Sequence, residues 1–361
     1  MAMKTLIGLG AALLLAACGA GSESDGTGAA SDPAFGSEPK LETPQAQLDA
    51  ALHCLPFTHP DQPPVLLVHG TFTAGQEQYE WNYIPLLAAR GFDVCAVTYP
   101  DRGFVDQQVS AEYVVNAIRR IHAQTGRKLG LIGHSQGVAV PRWALKWWPS
   151  ARNAVSDFVM QAGPNQGTVI ADPTALLGTL LGTLGLPALP ISGSASAPLL
   201  PEAFRQFPPA SQFVQATNRG DQSPGDVDYT AIYTLTDELV QPALPLPVPA
   251  GSLEYGVDNP HIRNLLLQDL CPQQIVDHVT IGTTDALAFA LAIDAITQAG
   301  PADPQRAGGA ALCNNVPIIA DPALASTGVQ ALLTILQGDI AAGAPALHLS
   351  TEEPALKDYA R

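Results

Sequence analysis

The sequence predicts an α/β fold, with a mostly parallel central sheet and helices on both faces. From Pro63 onward, short apolar runs alternate with longer stretches of helical spacing. The runs are apolar at consecutive positions, as in Val65 to Val68, which is typical of strands buried on both faces. With 361 residues, of which 47 % are hydrophobic, the chain is long enough to bury such a core.

Five strands are predicted in chain order. They cover residues 65–68, 93–98, 128–132, 157–161 and 229–235. The carboxyl ends of parallel strands meet at one edge of a sheet, and binding sites of α/β proteins lie in the loops there. Functional residues are therefore expected directly after these strands.

The clearest helix lies between the second and third strands. Ser110 has a side chain suited to an N-cap, and Glu112 would favour the first turn. Apolar residues then recur at helical spacing until Gly126, which is a typical helix end. The sequence predicts that this helix begins at Ser110.

The amino-terminal residues are predicted to lie outside the folded domain, which should cover residues 48–361. A short basic start precedes an apolar run over residues 6–15, too short to span a membrane. Leu15-Ala16-Ala17-Cys18 resembles the bacterial lipobox, in which the cysteine thiol is acylated before cleavage. We expect a lipoprotein signal peptide over residues 1–17, a membrane anchor on Cys18 and a flexible linker over residues 18–47. A plain signal peptide is the alternative.

Charge and cysteine content restrict the compartment and the partners. Acidic residues outnumber basic ones by 33 to 17, which disfavours nucleic acid as a partner. Apart from Cys18, four cysteines remain, and an even number in an exported protein suggests two disulfides with three possible pairings. No cysteine or histidine spacing indicates a metal site. The predicted location is the bacterial cell envelope, at the outer membrane or the cell surface.

The most specific motif is a serine flanked by glycines. Directly after the third strand and before a helical run stand Gly133, His134, Ser135, Gln136 and Gly137. In this strand–turn–helix context the pattern is typical of a nucleophile elbow, because the tight turn requires small flanking residues. The alternative is a glycine-rich turn with an incidental serine. We predict that Ser135 is a nucleophile.

A serine nucleophile needs a base, and the base needs an acid that orients it. Beyond Ser135 the chain contains His261, His278 and His348, and we choose His278 because it follows a short apolar run that enters a loop. Asp237 follows the fifth strand by two residues and is the predicted acid. The neighbouring Glu238 is expected to point away. The alternatives are a buried core histidine and a solvent-facing acid.

The negative charge of a tetrahedral intermediate needs hydrogen-bond donors. One predicted donor is the backbone amide of Gln136, directly after the nucleophile. The second is Thr71, in the loop after the first strand, through its amide and its hydroxyl. The alternative is an ordinary turn at His69 and Gly70.

Several stretches resemble the α/β-hydrolase lipases related to lipase B of Candida antarctica. The matching residues are Pro64-Val65-Leu66-Leu67-Val68, Gly70-Thr71, Asn82, Ile84-Pro85, Glu112-Tyr113, Val115-Asn116-Ala117-Ile118, Ser135-Gln136-Gly137, Gly167-Thr168-Val169, Thr236-Asp237-Glu238, Val240-Gln241-Pro242, Asp277-His278 and Tyr359-Ala360-Arg361. The resemblance runs from about Leu52 to the last residue. It implies an α/β-hydrolase fold, the triad and oxyanion roles given above, and disulfides that pair Cys54 with Cys95 and Cys271 with Cys313.

Three features depart from that family. His134 stands where lipase B has a tryptophan, Pro141 is expected to kink the helix after the nucleophile, and the family's last disulfide has no cysteines here. Two further stretches are expected to line the entrance, residues 175–200 as a lid or acyl-pocket wall and residues 239–248 beside it. The alternative for residues 175–200 is a core-packing helix followed by a loop.

The sequence and the resemblance together predict a monomeric serine carboxylester hydrolase without a cofactor. The expected substrates are acyl glycerols and related esters, cleaved through an acyl-enzyme. A short-chain esterase, an acyltransferase or a polyester hydrolase could use the same residues. A non-catalytic surface binding protein on this scaffold is the alternative from another class.

Overall fold

The computed structural model describes residues 38–169, 199–245, 247–313, 317–320 and 347–361. The chain divides into two compact units, Met1–Ser37 and Glu38–Arg361, and all described residues belong to the second. The predicted signal peptide and Cys18 lie outside the described residues. So does the predicted lid, apart from its last two residues.

The strands and helices are numbered here in chain order over the described residues. The strands are β1 Leu52–Cys54, β2 Val65–Val68, β3 Val94–Val97, β4 Leu129–His134, β5 Val155–Gln161, β6 Leu200–Pro201, β7 Asp228–Tyr233, β8 Ile262–Leu266 and β9 Leu349–Ser350. The helices are α1 Gln45–Ala50, α2 Gly75–Tyr79, α3 Tyr83–Ala88, α4 Gln107–Thr125, α5 Gln136–Trp147, α6 Pro149–Arg152, α7 Glu202–Arg205, α8 Gln212–Asn218, α9 Leu267–Leu270, α10 His278–Ile281, α11 Ala286–Thr297 and α12 Pro304–Ala307. Short 3₁₀ turns cover Pro100–Gly103, Gly309–Cys313 and Asp358–Ala360.

The central sheet has seven strands in the order β1-β3-β2-β4-β5-β7-β8. All neighbouring pairs are parallel except β1 with β3, which is antiparallel. A separate antiparallel pair joins β6 and β9. The predicted α/β fold with a mostly parallel sheet is confirmed.

Two apolar clusters cover the two faces of the sheet. Leu66, Val68 and Leu131 pack in one cluster with residues of α4 and α5. Their neighbours Val65, Leu67 and Ile132 pack in the other with α3 and α11. Because side chains alternate along a strand, this division shows why the strands are apolar at every position.

The five predicted strands are present with shifted ends, whereas the short pair β6 and β9 and two strands of the central sheet were missed. These two, β1 and β8, form the two edges of the sheet. The predicted start of the long helix was wrong. Helix α4 begins at Gln107, with Asp106 as N-cap accepting the backbone N–H of Gln108 at 2.9 Å, and Ser110 is buried inside it. The predicted end is confirmed, because Gly126 closes the helix at a φ of 67°.

Residues just before the predicted domain boundary pack against the domain. The backbone N–H of Thr43 donates to Glu112 at 2.7 Å, and Trp148 Nε1 donates to the carbonyl oxygen of Pro39 at 2.8 Å. Helix α1 begins at Gln45. The compact unit therefore starts at Glu38, inside the stretch predicted as linker.

Two disulfides join neighbouring elements. Cys54 of β1 is bonded to Cys95 of β3, and Cys271 is bonded to Cys313. These are the pairings that the resemblance implied. Disulfides of this kind are typical of proteins that leave the reducing cytosol.

One stretch of the folded domain has the length and composition of a membrane span, although no span was predicted after the leader. Residues His278–Thr297 are long and apolar enough to cross a membrane, but 67 % of their most apolar part is buried inside the domain. A turn between α10 and α11 interrupts the stretch. Its apolar character is accounted for by core packing in the second cluster.

Candidate active site

Ser135 lies in the turn between β4 and α5, at the carboxyl edge of the sheet. Its backbone has φ 58° and ψ −123°, which is uncommon for a residue with a Cβ. A Cβ on Gly133 would collide with the carbonyl oxygen of Gly137, and one on Gly137 would collide with that of Val68. Both flanking glycines are therefore required by close backbone contacts, as the elbow motif predicted.

The structure brings Ser135, His278 and Asp237 into one hydrogen-bonded row. Ser135 Oγ lies 2.8 Å from His278 Nε2, and His278 Nδ1 lies 3.0 and 3.1 Å from the two carboxylate oxygens of Asp237. His278 and Asp237 are 4 and 3 % exposed, whereas Ser135 is partly exposed. Such a row can transfer a proton from the serine while the carboxylate stabilises the imidazolium.

The Asp237 carboxylate is fixed by backbone N–H groups of the residues that follow it. Its Oδ1 accepts the N–H groups of Leu239 and Val240 at 2.9 and 2.8 Å. These contacts leave the carboxylate aimed at His278. Asp237 lies in the loop after this strand, as predicted, but β7 ends at Tyr233 rather than at residue 235, so Asp237 follows the strand by four residues instead of two.

His278 is the first residue of the one-turn helix α10. Asp277 caps that helix, accepting Thr280 N–H at 2.7 Å. The preceding run that ends at Asp277 is not a strand, and Ile275 in it is 84 % exposed. The placement of His278 beside a loop was predicted, but the short helix was not.

Glu238 does not point away from the site, and that prediction was wrong. Its Oε2 accepts the backbone N–H of His278 at 3.0 Å. The reason is that His278 begins a helix, so its N–H has no partner within that helix. Glu238 and Asp237 therefore hold the same residue, one through the backbone and one through the ring.

The surroundings of His278 favour its protonated form. Burial disfavours a charged ring, but nearby carboxylates outweigh it, led by Asp237 and followed by Glu238 and Asp277. The pKa of His278 is therefore raised above its ordinary value. A raised pKa suits a base that must hold a proton during a reaction.

The loop after β2 faces the elbow. The Thr71 hydroxyl donates to Gln136 Oε1 at 2.8 Å, and Gln136 Nε2 donates to the carbonyl oxygen of Gly103 at 2.8 Å. In the part of the chain that the structure describes, neither the Thr71 nor the Gln136 backbone N–H has an acceptor. The two amides predicted as oxyanion donors are thus available, whereas the Thr71 hydroxyl is already bonded to Gln136.

The other two histidines considered as a base lie elsewhere. His261 Nδ1 is 2.8 Å from Asp228, and His348 Nε2 is 2.6 Å from Asp101. Among the described side chains, no group of three or more His, Cys, Asp or Glu is placed to hold a metal ion.

Two predictions concern the surroundings of the row. Helix α5 continues through Pro141 to Trp147. Of the stretch predicted to line the entrance, Leu239 and Val240 are buried, and Leu244 is 50 % exposed. Gln78 was not predicted as part of the site, yet its buried side chain lies 3.1 Å from His134 Nδ1. No local pattern marks it, because its partners come from distant elements.

The doubly covered parallel sheet, with a strained serine turn after its fourth strand, defines an α/β-hydrolase. The chain belongs to the lipase (class 2) family, whose model matches residues 62–246. It is 32 % identical over 247 residues to Lipase B of Pseudozyma antarctica, a match that covers 67 % of this chain and 65 % of that protein. The chain thus matches just under two thirds of the length of this relative.

A solved structure shows the same fold. The crystal structure of Aspergillus fumigatus lipase B superimposes with a TM-score of 0.73 at 27 % identity. The match covers 91 % of this chain and 74 % of that one.

Proposed function

We propose that the chain is a serine carboxylester hydrolase that cleaves acyl glycerols and related esters. The observation that carries this proposal is the 2.8 Å contact between Ser135 Oγ and His278 Nε2, with Asp237 behind the imidazole. Membership of the class 2 lipase family and the likeness to proteins named lipase B support the substrate class.

In the first half of the proposed reaction, Ser135 Oγ attacks the ester carbonyl carbon. His278 Nε2 takes the hydroxyl proton, and Asp237 stabilises the resulting imidazolium. The tetrahedral intermediate collapses when His278 returns the proton to the departing alkoxide. The alcohol leaves, and the acyl group remains on Ser135 as an ester.

In the second half, water replaces the alcohol. His278 removes a proton from the water, whose oxygen attacks the acyl carbon. The proton then returns to Ser135 Oγ as the carboxylic acid leaves. If an alcohol took the place of water, the same steps would give acyl transfer.

The backbone amides of Thr71 and Gln136 are the proposed donors to the intermediate's oxygen. Their support is that neither donates to another described residue, while Gln136 begins helix α5 beside Ser135. A single donor of this kind typically contributes about 100- to 1000-fold to kcat. The Thr71 hydroxyl would have to leave Gln136 Oε1 to become a third donor.

The first test is hydrolysis of p-nitrophenyl esters from acetate to palmitate by the wild type and Ser135→Ala. We expect wild-type turnover of the octanoate and longer esters, and a loss of about 10⁴-fold or more in the variant, since the nucleophile is removed. Activity confined to acetate and butyrate would favour a short-chain esterase. Equal rates for both proteins would contradict the assignment of Ser135.

A serine-reactive phosphonate separates an enzyme from a binding protein. The wild type should be labelled at Ser135, and Ser135→Ala should not be. The pH at which labelling reaches half its maximal rate also reports the protonation of His278, because the base must be neutral to activate the serine. A wild type that is neither labelled nor active would support the non-catalytic alternative.

We also propose that Cys18 carries the lipid that anchors the chain to the cell envelope. The support is the Leu-Ala-Ala-Cys sequence at residues 15–18 together with the two disulfides of the folded domain. Cells fed an alkyne fatty acid should label the wild type, and Cys18→Ala should lose the label. A variant that keeps the label would refute the acylation site.

A further inference from the structure

A chain of buried hydrogen bonds joins the loop after β2 to the backbone of His278. The N–H of Gly70 donates to Gln78 Oε1 at 2.9 Å, and Gln78 Nε2 lies 3.1 Å from His134 Nδ1. His134 Nε2 lies 2.7 Å from the carbonyl oxygen of His278. Gln78 and His134 are 4 and 5 % exposed, so water does not compete for these bonds.

The partners of His134 fix its tautomer. A carbonyl oxygen can only accept, so His134 Nε2 must carry a hydrogen and donate it to His278. Gln78 Oε1 accepts from both Gly70 and Thr73, which identifies the other Gln78 atom as the amide nitrogen. That nitrogen donates to His134 Nδ1, which must therefore be unprotonated.

The ring of His134 is neutral. Burial, aided by the neighbouring His278, lowers its pKa to about 3. Its ring centroid lies 5.1 Å from that of His278. A charged His134 would oppose the imidazolium that His278 forms during the proposed reaction, and the neutral tautomer avoids this.

The His134 ring packs closely against the backbone at Gly282 and at Gly70. A Cβ on Gly282, one turn beyond His278, would collide with the His134 ring. A Cβ on Gly70 would lie 3.2 Å from both His134 Nδ1 and the Ser135 Cβ. Both the loop and the helix that carry the reacting groups therefore contact this ring directly.

We propose that His134 is a positioning residue, whose Nε2–H bond to the His278 carbonyl, braced through Gln78 against the Gly70 loop, sets the place of His278 relative to Ser135. This inference rests on the proposed ester hydrolysis. His134 acts through the backbone of His278 and does not touch the reacting atoms. The residue before the nucleophile is thereby part of the machinery that aligns the base.

Two variants separate the two ends of the His134 ring. His134→Gln places an amide N–H where Nε2 was and can still donate to the His278 carbonyl. His134→Asn places an oxygen near the former Nδ1 and can still accept from Gln78, but does not reach His278. Both variants replace the imidazole ring by a primary amide, so each controls for the loss of the ring itself.

We expect His134→Gln to keep kcat within about 3-fold of the wild type and His134→Asn to lose about 10- to 100-fold, since small misplacements of reacting groups cost that much. KM should change less than 2-fold in both, because the substrate contacts stay. Melting temperatures identify a variant that is partly unfolded. For such a variant, the rate of phosphonate labelling per folded molecule is compared instead of kcat.

Equal losses in His134→Gln and His134→Asn would overturn the inference, as would a loss that falls on KM. Failure of the proposed function has a different signature. In that case the wild type would neither hydrolyse the esters nor react with the phosphonate, whatever stands at position 134.

Discussion

His278 is held at four polar atoms, two in its ring and two in its backbone. The ring contacts Ser135 and Asp237, the backbone N–H donates to Glu238, and the carbonyl accepts from His134. A residue tied in this way can neither rotate its ring nor flip its peptide groups without breaking buried or partly buried hydrogen bonds, each of which contributes about 1 kcal/mol. The proposed base is therefore held in place in the absence of substrate.

Glu238→Gln is predicted to move the pH dependence of the reaction without a large loss of rate. The amide oxygen can still accept the His278 N–H, but the negative charge that helps to raise the pKa of His278 is gone. The pKa of the base therefore falls, and the acid limb of kcat/KM moves to lower pH. The measurement is a pH–rate profile on p-nitrophenyl octanoate.

Glu238→Ala is the control for this substitution. It removes both the charge and the acceptor, so the plateau rate should fall as well. An unchanged acid limb in Glu238→Gln would mean that this carboxylate does not influence His278.

Ser135 and its glycines could be predicted because the elbow needs only neighbouring residues. Asp237 could be placed from its position in the loop after β7, and His278 from its order along the chain and its place beside a loop. Glu238 and Gln78 could not, because their partners lie 40 and 56 positions away. A hydrogen bond between distant elements leaves no periodic signal in the sequence.

At the scale of secondary structure, the wrong start of α4 is explained by long-range polar contacts. The first turn of α4 contains the buried residues Gln107 and Gln108, which do not resemble a helical core face. The Gln107 N–H donates to Gln206 at 2.8 Å, and the Gln108 side chain donates to the Ala355 carbonyl at 3.0 Å. Strands β1 and β8 were missed for a different reason, since neither is fully buried and neither shows a continuous apolar run.

Gly126→Ala is predicted to destabilise the fold by about 1 kcal/mol while leaving kcat/KM unchanged. The φ of 67° at the end of α4 is unfavourable for alanine, but an added Cβ would meet nothing within 4 Å. The cost is therefore confined to the backbone conformation. Urea unfolding measures it.

Gly137→Ala is the matched comparison, because its Cβ would collide with the carbonyl oxygen of Val68. It should reduce activity severely. If Gly126→Ala also reduced kcat/KM, the end of α4 would be coupled to the site in a way that the packing does not explain.

Across the whole molecule, buried carboxylates differ in what offsets the cost of burying their negative charge. Asp93 and Asp294 are paired with Arg127 and Arg306 at 2.7 and 2.8 Å. Asp157, in β5, lies instead in register with Asp228 of β7. Burial raises the pKa of Asp157 to about 7, with Asp228 acting in the same direction and a hydrogen bond with Ser156 opposing it.

Asp157 is predicted to make the folded protein less stable as the pH rises. The folded state keeps this carboxyl protonated up to about pH 7, whereas the unfolded chain releases the proton near the ordinary value of 3.8. The protonated Asp157 carboxyl therefore contributes fully to the free energy of unfolding below pH 3.8, and this contribution is lost by pH 7. The change is on the order of 4 kcal/mol. Urea unfolding across this range, with the disulfides intact, measures it.

Asp157→Asn carries no titrating group at that position and serves as the reference. Its free energy of unfolding should exceed that of the wild type by more at pH 8 than at pH 5. A constant difference between the two proteins would contradict a raised pKa at Asp157.

The two margins of the central sheet limit how one copy of the protein can meet another. At one margin, β1 has three residues and is covalently bonded to β3 through Cys54 and Cys95. At the other, β8 carries the exposed Arg263 and passes directly into α9. Short strands and outward charges at sheet edges disfavour lateral strand addition. A concentrated solution of this domain should therefore resist edge-to-edge association, the usual first step towards β-aggregates.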